Sequence, residues 1–262
     1  MDKRQLIFDE KVFYYDKLNT SFLIKDDTFN FLKQMKKESI DMIFADPPYF
    51  LSNDGISCSG GKVVSVNKGS WDKIGSFEEK HKFNREWISL AKKVLKPNGT
   101  IWVSGSLHNI YSVGMALEQE GFKILNNITW QKTNPPPNLS CRYFTHSTET
   151  ILWARKNDKS ARHYFNYNLI KERNMGKQKK DVWSGSLTRK SEKKHGKHPT
   201  QKPEYLLEEI ILASTKENDL ILDPFVGSGT TCVVAKRLGR RYIGIDNIEE
   251  YLRIAIKRLE DI

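Results

Sequence analysis

Asp46-Pro47-Pro48-Tyr49 closes the apolar run Ile40-Asp41-Met42-Ile43-Phe44-Ala45. Two prolines fix φ and remove two N–H donors, leaving a stiff turn whose carbonyls point outward. The Asp46 carboxylate and the Pro47 carbonyl can then accept both N–H groups of a single amine. An aryl amine such as adenine N6 is a poor nucleophile, because its lone pair is delocalised into the ring. Held between two acceptors, the nitrogen becomes more pyramidal and the lone pair is freed. Tyr49 supplies a ring on which a base extruded from its helix can stack.

A second group, Asp223-Pro224-Phe225-Val226-Gly227-Ser228-Gly229, follows the apolar run Leu220-Ile221-Leu222. Gly227 and Gly229 allow a sharp turn and close approach of the backbone to a ligand, and a helix starting near Thr230 offers free N–H groups there. Seventeen positions after Gly229, the strand Tyr242-Ile243-Gly244-Ile245 ends in Asp246. That carboxylate is placed either to accept ribose hydroxyls or to cap the helix that follows. No Lys-Ser or Lys-Thr follows the glycines, which argues against a nucleoside triphosphate. A base-amine site and a nucleoside site together point to methyl transfer from S-adenosylmethionine to a nucleobase. The donor is an activated sulfonium, so proximity and alignment can supply much of the acceleration, about 7–11 kcal/mol in good cases.

Strands and helices alternate around these motifs. Residues 21–25 read as a strand, and Asp26-Asp27-Thr28 as the cap of a helix running to about residue 37. Residues 50–76, rich in Gly, Ser and Asn, read as a long loop able to act as a lid. Phe83, Trp87, Leu90, Ala91, Val94 and Leu95 recur at helical spacing over residues 77–96, and Pro97-Asn98-Gly99 ends that helix. Strands follow at 100–104, 122–132 and 148–154, with a helix at 108–120 between the first two. After Pro203 come helix 204–215, strand 220–222, helix 230–238, strand 241–245 and helix 248–260. The pattern predicts an α/β fold with a mostly parallel sheet covered on both faces. Ligands in such sheets lie at the C-terminal strand ends, where Asp46 and Asp223 both fall.

The 262 residues carry 43 Lys plus Arg against 32 Asp plus Glu, a net charge of +11. Such a balance favours a polyanionic partner. Residues 171–202 hold eleven basic side chains and three acidic ones, a net of +8. Arg173, Lys177, Lys179, Lys180, Arg189, Lys190, Lys193 and Lys194 are the DNA-contact candidates, with phosphate contact the default for any one of them. Trp183 and His195 lie among them as packing or stacking residues. Cys58, Cys141 and Cys232 show no paired or zinc spacing. No apolar run reaches a membrane span and the N-terminus has no signal-peptide pattern. These features predict a cytoplasmic protein with no metal centre and no membrane partner.

From Phe22 onward the chain resembles the DNA amino-methyltransferases in their circularly permuted β arrangement. The resemblance rests on Ile24-Lys25-Asp26-Asp27, Asp46-Pro47-Pro48-Tyr49, Trp71-Asp72, Thr129-Trp130-Gln131-Lys132, His198-Pro199-Thr200-Gln201-Lys202-Pro203 and Phe225-Val226-Gly227-Ser228-Gly229-Thr230-Thr231. The stretches Ser106-Leu107-His108-Asn109 and Arg142-Tyr143-Phe144-Thr145-His146 narrow it to the second adenine methyltransferases of GATC restriction systems. The resemblance implies a Rossmann-like fold with S-adenosylmethionine as cofactor. Residues 1–154 would form the catalytic half, 155–197 an inserted target-recognition region, and 198–262 the cofactor half. It implies that Asp46, Pro47, Pro48 and Tyr49 hold the base. It implies that Asp27, Asp223, Phe225, Gly227, Ser228, Gly229 and Asp246 hold the cofactor, with Thr200 and Lys202 near its methionine end. Asp26 stands where many relatives have glycine, which leaves open which of Asp26 and Asp27 makes the contact. The implied activity is adenine-N6 methylation of DNA at GATC, on single or double strands, by a chain able to form a homodimer. The alternatives are cytosine-N4 methylation and a catalytically silent DNA-binding regulator.

Overall fold

Nine strands form one twisted sheet whose helices lie on both faces. The computed structural model describes residues 11–18, 20–50, 56–59, 62–65, 76–157 and 161–262. In chain order the elements begin with β1 (Val12–Asp16), β2 (Ser21–Lys25), α1 (Thr28–Gln34) and β3 (Ile40–Ala45). Then come β4 (Ile56–Ser59), β5 (Lys62–Ser65), α2 (Phe77–Val94), β6 (Leu95–Gly105), α3 (Ile110–Gln119), β7 (Phe122–Lys132) and β8 (Thr148–Lys156). The chain continues with α4 (Tyr167–Arg173), β9 (Val182–Gly185), a 3-10 turn (Lys190–Lys193), α5 (Glu204–Ser214), β10 (Leu220–Asp223), α6 (Thr230–Arg237), β11 (Arg241–Asp246) and α7 (Glu249–Glu260).

The strand order is β1-β2-β11-β10-β3-β6-β8-β7-β9. Pairing is parallel from β2 through β6 and between β7 and β9, and antiparallel for β1–β2, β6–β8 and β8–β7. Alternation along each central strand sorts side chains to opposite faces. Ile24, Ile43, Ala45, Ile101 and Leu222 pack with α1, α2 and α3. Leu23, Met42, Phe44, Trp102 and Ile221 pack with α5, α6 and α7. The helix after β3 and the helix after β10 therefore cover opposite faces. A crevice opens between these neighbouring strands at their C-terminal ends, as expected at a topological switch point.

Local sequence explains the borders. Asp27 caps α1 by accepting from the Asn30 amide at 3.0 Å, and Ser76 and Glu79 form a reciprocal capping box on α2. Pro97-Asn98-Gly99 does not precede the next strand but lies inside it as an irregularity. Ile40 pairs with Leu95 and Met42 already pairs with Thr100. A Cβ on Gly99 would stand 2.8 Å from the Asp41 carbonyl oxygen, so backbone closeness lets the strand absorb this segment. Most of the expected lid at 50–76 lies outside the described residues. Its described part pairs β4 antiparallel to β5. Residues 155–197 are continuous with the sheet, because β9 extends its edge beside β7. Among the described residues, no helix is long and apolar enough to cross a membrane.

Candidate active site

The parallel strands β2, β11, β10 and β3 end side by side, and each delivers an acidic residue to one cleft. Asp26 and Asp27 follow β2, Asp246 ends β11, Asp223 ends β10 and Asp46 follows β3. The cleft measures about 290 Å³. Asp27, Asp46, Pro47, Pro48, Tyr49, Thr200, Lys202, Asp223, Phe225, Gly227, Ser228 and Asp246 all line it, so two motifs far apart in the chain share one wall. Gly229 lies just behind the lining as the N-cap of α6.

On the β10 side the glycine turn is held by backbone and side-chain bonds. Gly227 and Gly229 have φ of +49° and +79°. The Asp246 carboxylate accepts from the Gly227 amide at 3.0 Å and from the Ile248 amide at 2.8 Å. It thus serves the turn and the entry to α7 while lining the cleft. Burial pushes its pKa up. Asp223 accepts from the Phe225 amide at 3.0 Å and from the Thr231 hydroxyl at 2.5 Å, and complete burial pushes its carboxyl up to about 7. Asp27 is exposed at the cleft rim, whereas Asp26 is paired with Lys11 at 2.6 Å. A Cβ on Gly227 would lie 2.9 Å from His198 Nε2, so glycine keeps the floor open. Apolar rings, an open glycine floor and several carboxylates suit a nucleoside that carries a sulfonium.

On the β3 side the turn is anchored by Asn109, whose amide donates to the Pro48 carbonyl at 3.3 Å. Tyr49, expected to offer its ring to the base, lines the cleft as a mostly buried side chain. Only 7% of it is exposed, and its hydroxyl donates to Asp46 Oδ1 at 2.6 Å. Ser104, brought alongside by β6, lies 3.1 Å from the same hydroxyl. Burial first, then the charges of Asp46 and Glu149, raise the Tyr49 pKa well above its usual value. Lys202, expected near the methionine end of the cofactor, lines the same cleft and is held by the Asp46 side. Its ammonium is 2.5 Å from Asp46 Oδ2 and sits 5.2 Å from the Tyr49 ring centre. A buried ammonium is stable only beside anions, and here Asp46 and Glu149 provide them. Burial alone would lower the Lys202 pKa, but these two carboxylates raise it. Glu149, Ser104, Lys132 and His198 were not marked by the sequence as site residues in their own right. Glu149 would have been found from the hairpin register, which pairs it with Trp130 and brings it beside Lys132.

One family profile, described as DNA methylase and covering N6 and N4 methyltransferases, matches residues 40–257. The chain belongs to this DNA methylase family. It is 81% identical over 247 residues to the type II methyltransferase M2.DpnII of Streptococcus pneumoniae, covering 94% of this chain and 92% of the relative. It is 78% identical to M2.LlaDCHI of Lactococcus lactis subsp. cremoris, covering 94% and 91%. The solved M1.HpyAVI–SAM complex matches with a TM-score of 0.65 and 31% identity over 90% of this chain and 98% of the other. The PvuII cytosine-N4-specific DNA methyltransferase matches at a TM-score of 0.71 and 20% identity over 91% and 86%, a likeness of fold. The methylase is an S-adenosylmethionine-dependent enzyme acting on DNA.

The basic candidates of the methylase divide into two groups. Arg173 is paired with Glu208 and Glu209 at 2.9 Å, Lys179 with Glu209 at 2.7 Å and Lys194 with Asp261 at 2.7 Å. Lys177, Lys180, Arg189, Lys190 and Lys193 form no ion pair among the described residues. Trp183 packs against Trp102 beneath Lys179, and His195 is held by Asp261, so both have structural partners.

Proposed function

We propose that this methylase transfers the methyl group of S-adenosylmethionine to adenine N6 in DNA, at GATC, on single as well as double strands. The observation that carries the reading is the position of Asp46 across one cleft from the Gly227–Gly229 turn. In this reading Asp46 and the Pro47 carbonyl accept the amine hydrogens and Pro48 stiffens the turn. Tyr49 fixes the Asp46 carboxylate through its hydroxyl and bounds the base. Asp27 and Asp246 accept from the nucleoside of the cofactor, and Phe225, Ser228 and Thr200 enclose it. The cofactor supplies an electrophilic methyl on a sulfonium. Residues 155–197 serve as the target-recognition region. GATC, the homodimer and a cytoplasmic setting follow from the resemblance noted in the sequence.

The test is transfer of labelled methyl to GATC duplex, GATC single strand and a GTAC version of each, with the product base identified by mass. N6-methyladenine on the GATC strands alone supports the reading. Methyladenine on GTAC discards the site, and N4-methylcytosine moves the enzyme to the cytosine class. Asp46→Ala should abolish transfer while S-adenosylmethionine still binds. DNA and cofactor binding by wild type without transfer would indicate a silent regulator.

A further inference from the structure

Behind Asp46 lies a set of charges that amine binding leaves without a role. Lys202 Nζ is 2.5 Å from Asp46 Oδ2 and 3.5 Å from Glu149 Oε2. Lys132 Nζ holds the other Glu149 oxygen, Oε1, at 2.7 Å. The Tyr49 hydroxyl gives its proton to Asp46 Oδ1 at 2.6 Å and lies 3.1 Å from Lys202 Nζ. Both oxygens of Asp46 therefore already have a donor. Side-chain exposure is 6% for Lys202, 14% for Asp46 and 13% for Glu149, so water is a poor substitute for any partner removed.

An amine arriving at Asp46 meets an ammonium on Oδ2. Driving that ammonium into solvent would leave a buried carboxylate without its counter-charge, which is costly. The ammonium has a second anion only about 1 Å farther off, the difference between its two carboxylate distances. That anion is fixed from behind by Lys132 and aligned by the pairing of β7 with β8. Burial would raise the Glu149 pKa, but Lys202 and Lys132 lower it, so Glu149 remains an anion able to receive the charge.

We propose that Lys202 is a positioning cation that passes from Asp46 to Glu149 as the target base enters, and that Glu149 is the positioning residue that receives it. This rests on Asp46 being the acceptor of the base amine. The amine N–H replaces the ammonium on Oδ2, Lys202 closes on Glu149 Oε2, and no covalent bond or proton changes hands. The carboxylate keeps a cation nearby while one of its oxygens is released to the substrate. Glu149 thereby affects base capture and leaves the cofactor half of the cleft untouched.

The experiment compares wild type with Glu149→Gln, Lys202→Met and the double variant. It measures kcat and KM on a GATC duplex, S-adenosylmethionine affinity by calorimetry, and fluorescence of 2-aminopurine at the target position. In Glu149→Gln the ammonium has no second anion. We expect kcat/KM for DNA to fall about tenfold or more, the scale of one charged hydrogen bond. The 2-aminopurine signal should fall with it, while cofactor affinity stays within about twofold. Glu149→Asp should recover part of the loss, and it serves as the second probe if the Gln variant folds poorly. In the Lys202→Met background, Glu149→Gln should add little further loss, because Glu149 acts through Lys202. Unchanged kcat/KM in Glu149→Gln, additive losses in the double variant, or an equal loss of cofactor affinity would overturn the proposal. If wild type itself makes no methyladenine, it is the reading of Asp46 as amine acceptor that fails.

Discussion

Asp223 shows how one buried carboxyl can link the cofactor turn to pH. Burial raises its pKa to about 7, while the Thr231 and Phe225 donors pull the other way. In the unfolded chain it titrates near 3.9. Between these values the folded state binds the extra proton, so this group stabilises the fold at low pH and the stabilisation is lost as pH rises through about 7. Asp223→Asn keeps the shape and removes the titration. The unfolding free energy of wild type relative to this variant should fall as pH is raised from about 4 to about 7, by at most about 1.4 kcal/mol per pH unit. Urea unfolding across that range checks it, and a pH-independent difference would remove Asp223 as the cause. Asp46 and Asp223 were legible as residues, because each ends an apolar run. The link from Asp46 through Lys202 to Glu149 was not, since Glu149 lies 103 positions from Asp46 and 53 from Lys202, and nothing local connects them.

At the scale of elements, the helix that starts at Thr230 depends on the residue before it. Gly229 is in the left-handed region at φ +79°, and a Cβ there would be 2.6 Å from Ala255 Cβ on α7. Gly229→Ala combines left-handed strain of about 1–2 kcal/mol with overpacking of about 1–3 kcal/mol. Gly176 has a similar φ of +75° with nothing within 4 Å of a Cβ, so Gly176→Ala should carry only the strain. Thermal unfolding should separate the two, with the larger loss at Gly229 and weaker cofactor binding in that variant alone. Equal losses would show that the α6–α7 packing can relax. The periodicity of residues 77–96 and the strand–glycine–helix pattern after Leu220 were readable because their side chains alternate between core and solvent at a fixed period. The run Pro97-Asn98-Gly99 reads as a stop, and only pairing with β3 keeps it inside β6. Residues 12–16 show no clear strand pattern, and β1 owes its place to the edge offered by β2.

For the whole molecule, the net charge of +11 overstates the surface available to a polyanion. Arg173, Lys179 and Lys194 are engaged by Glu208, Glu209 and Asp261. Of the five basic candidates without an ion pair among the described residues, the lysines Lys177, Lys180, Lys190 and Lys193 are the ones proposed to meet phosphate. Replacing these four by alanine should weaken DNA binding and reduce the salt slope by about one for each phosphate no longer neutralised. Arg173→Ala should leave that slope alone and change stability slightly, by about 0–1 kcal/mol for partly exposed pairs. Binding isotherms over a salt series decide between them, and an equal slope change for Arg173→Ala would return it to the DNA-binding surface. By itself the sequence determined the two motifs, the alternation of strands and helices, and the excess of positive charge. Each is written in neighbouring residues or in a sum over the chain. The tertiary structure decided that strands separated by most of the chain end side by side. It also decided that Lys202 meets both Asp46 and Glu149, and that part of the basic region is neutralised by Glu208 and Glu209 of α5 and by Asp261. Those outcomes depend on sheet order and on where buried charges find partners, and neither is encoded in local spacing.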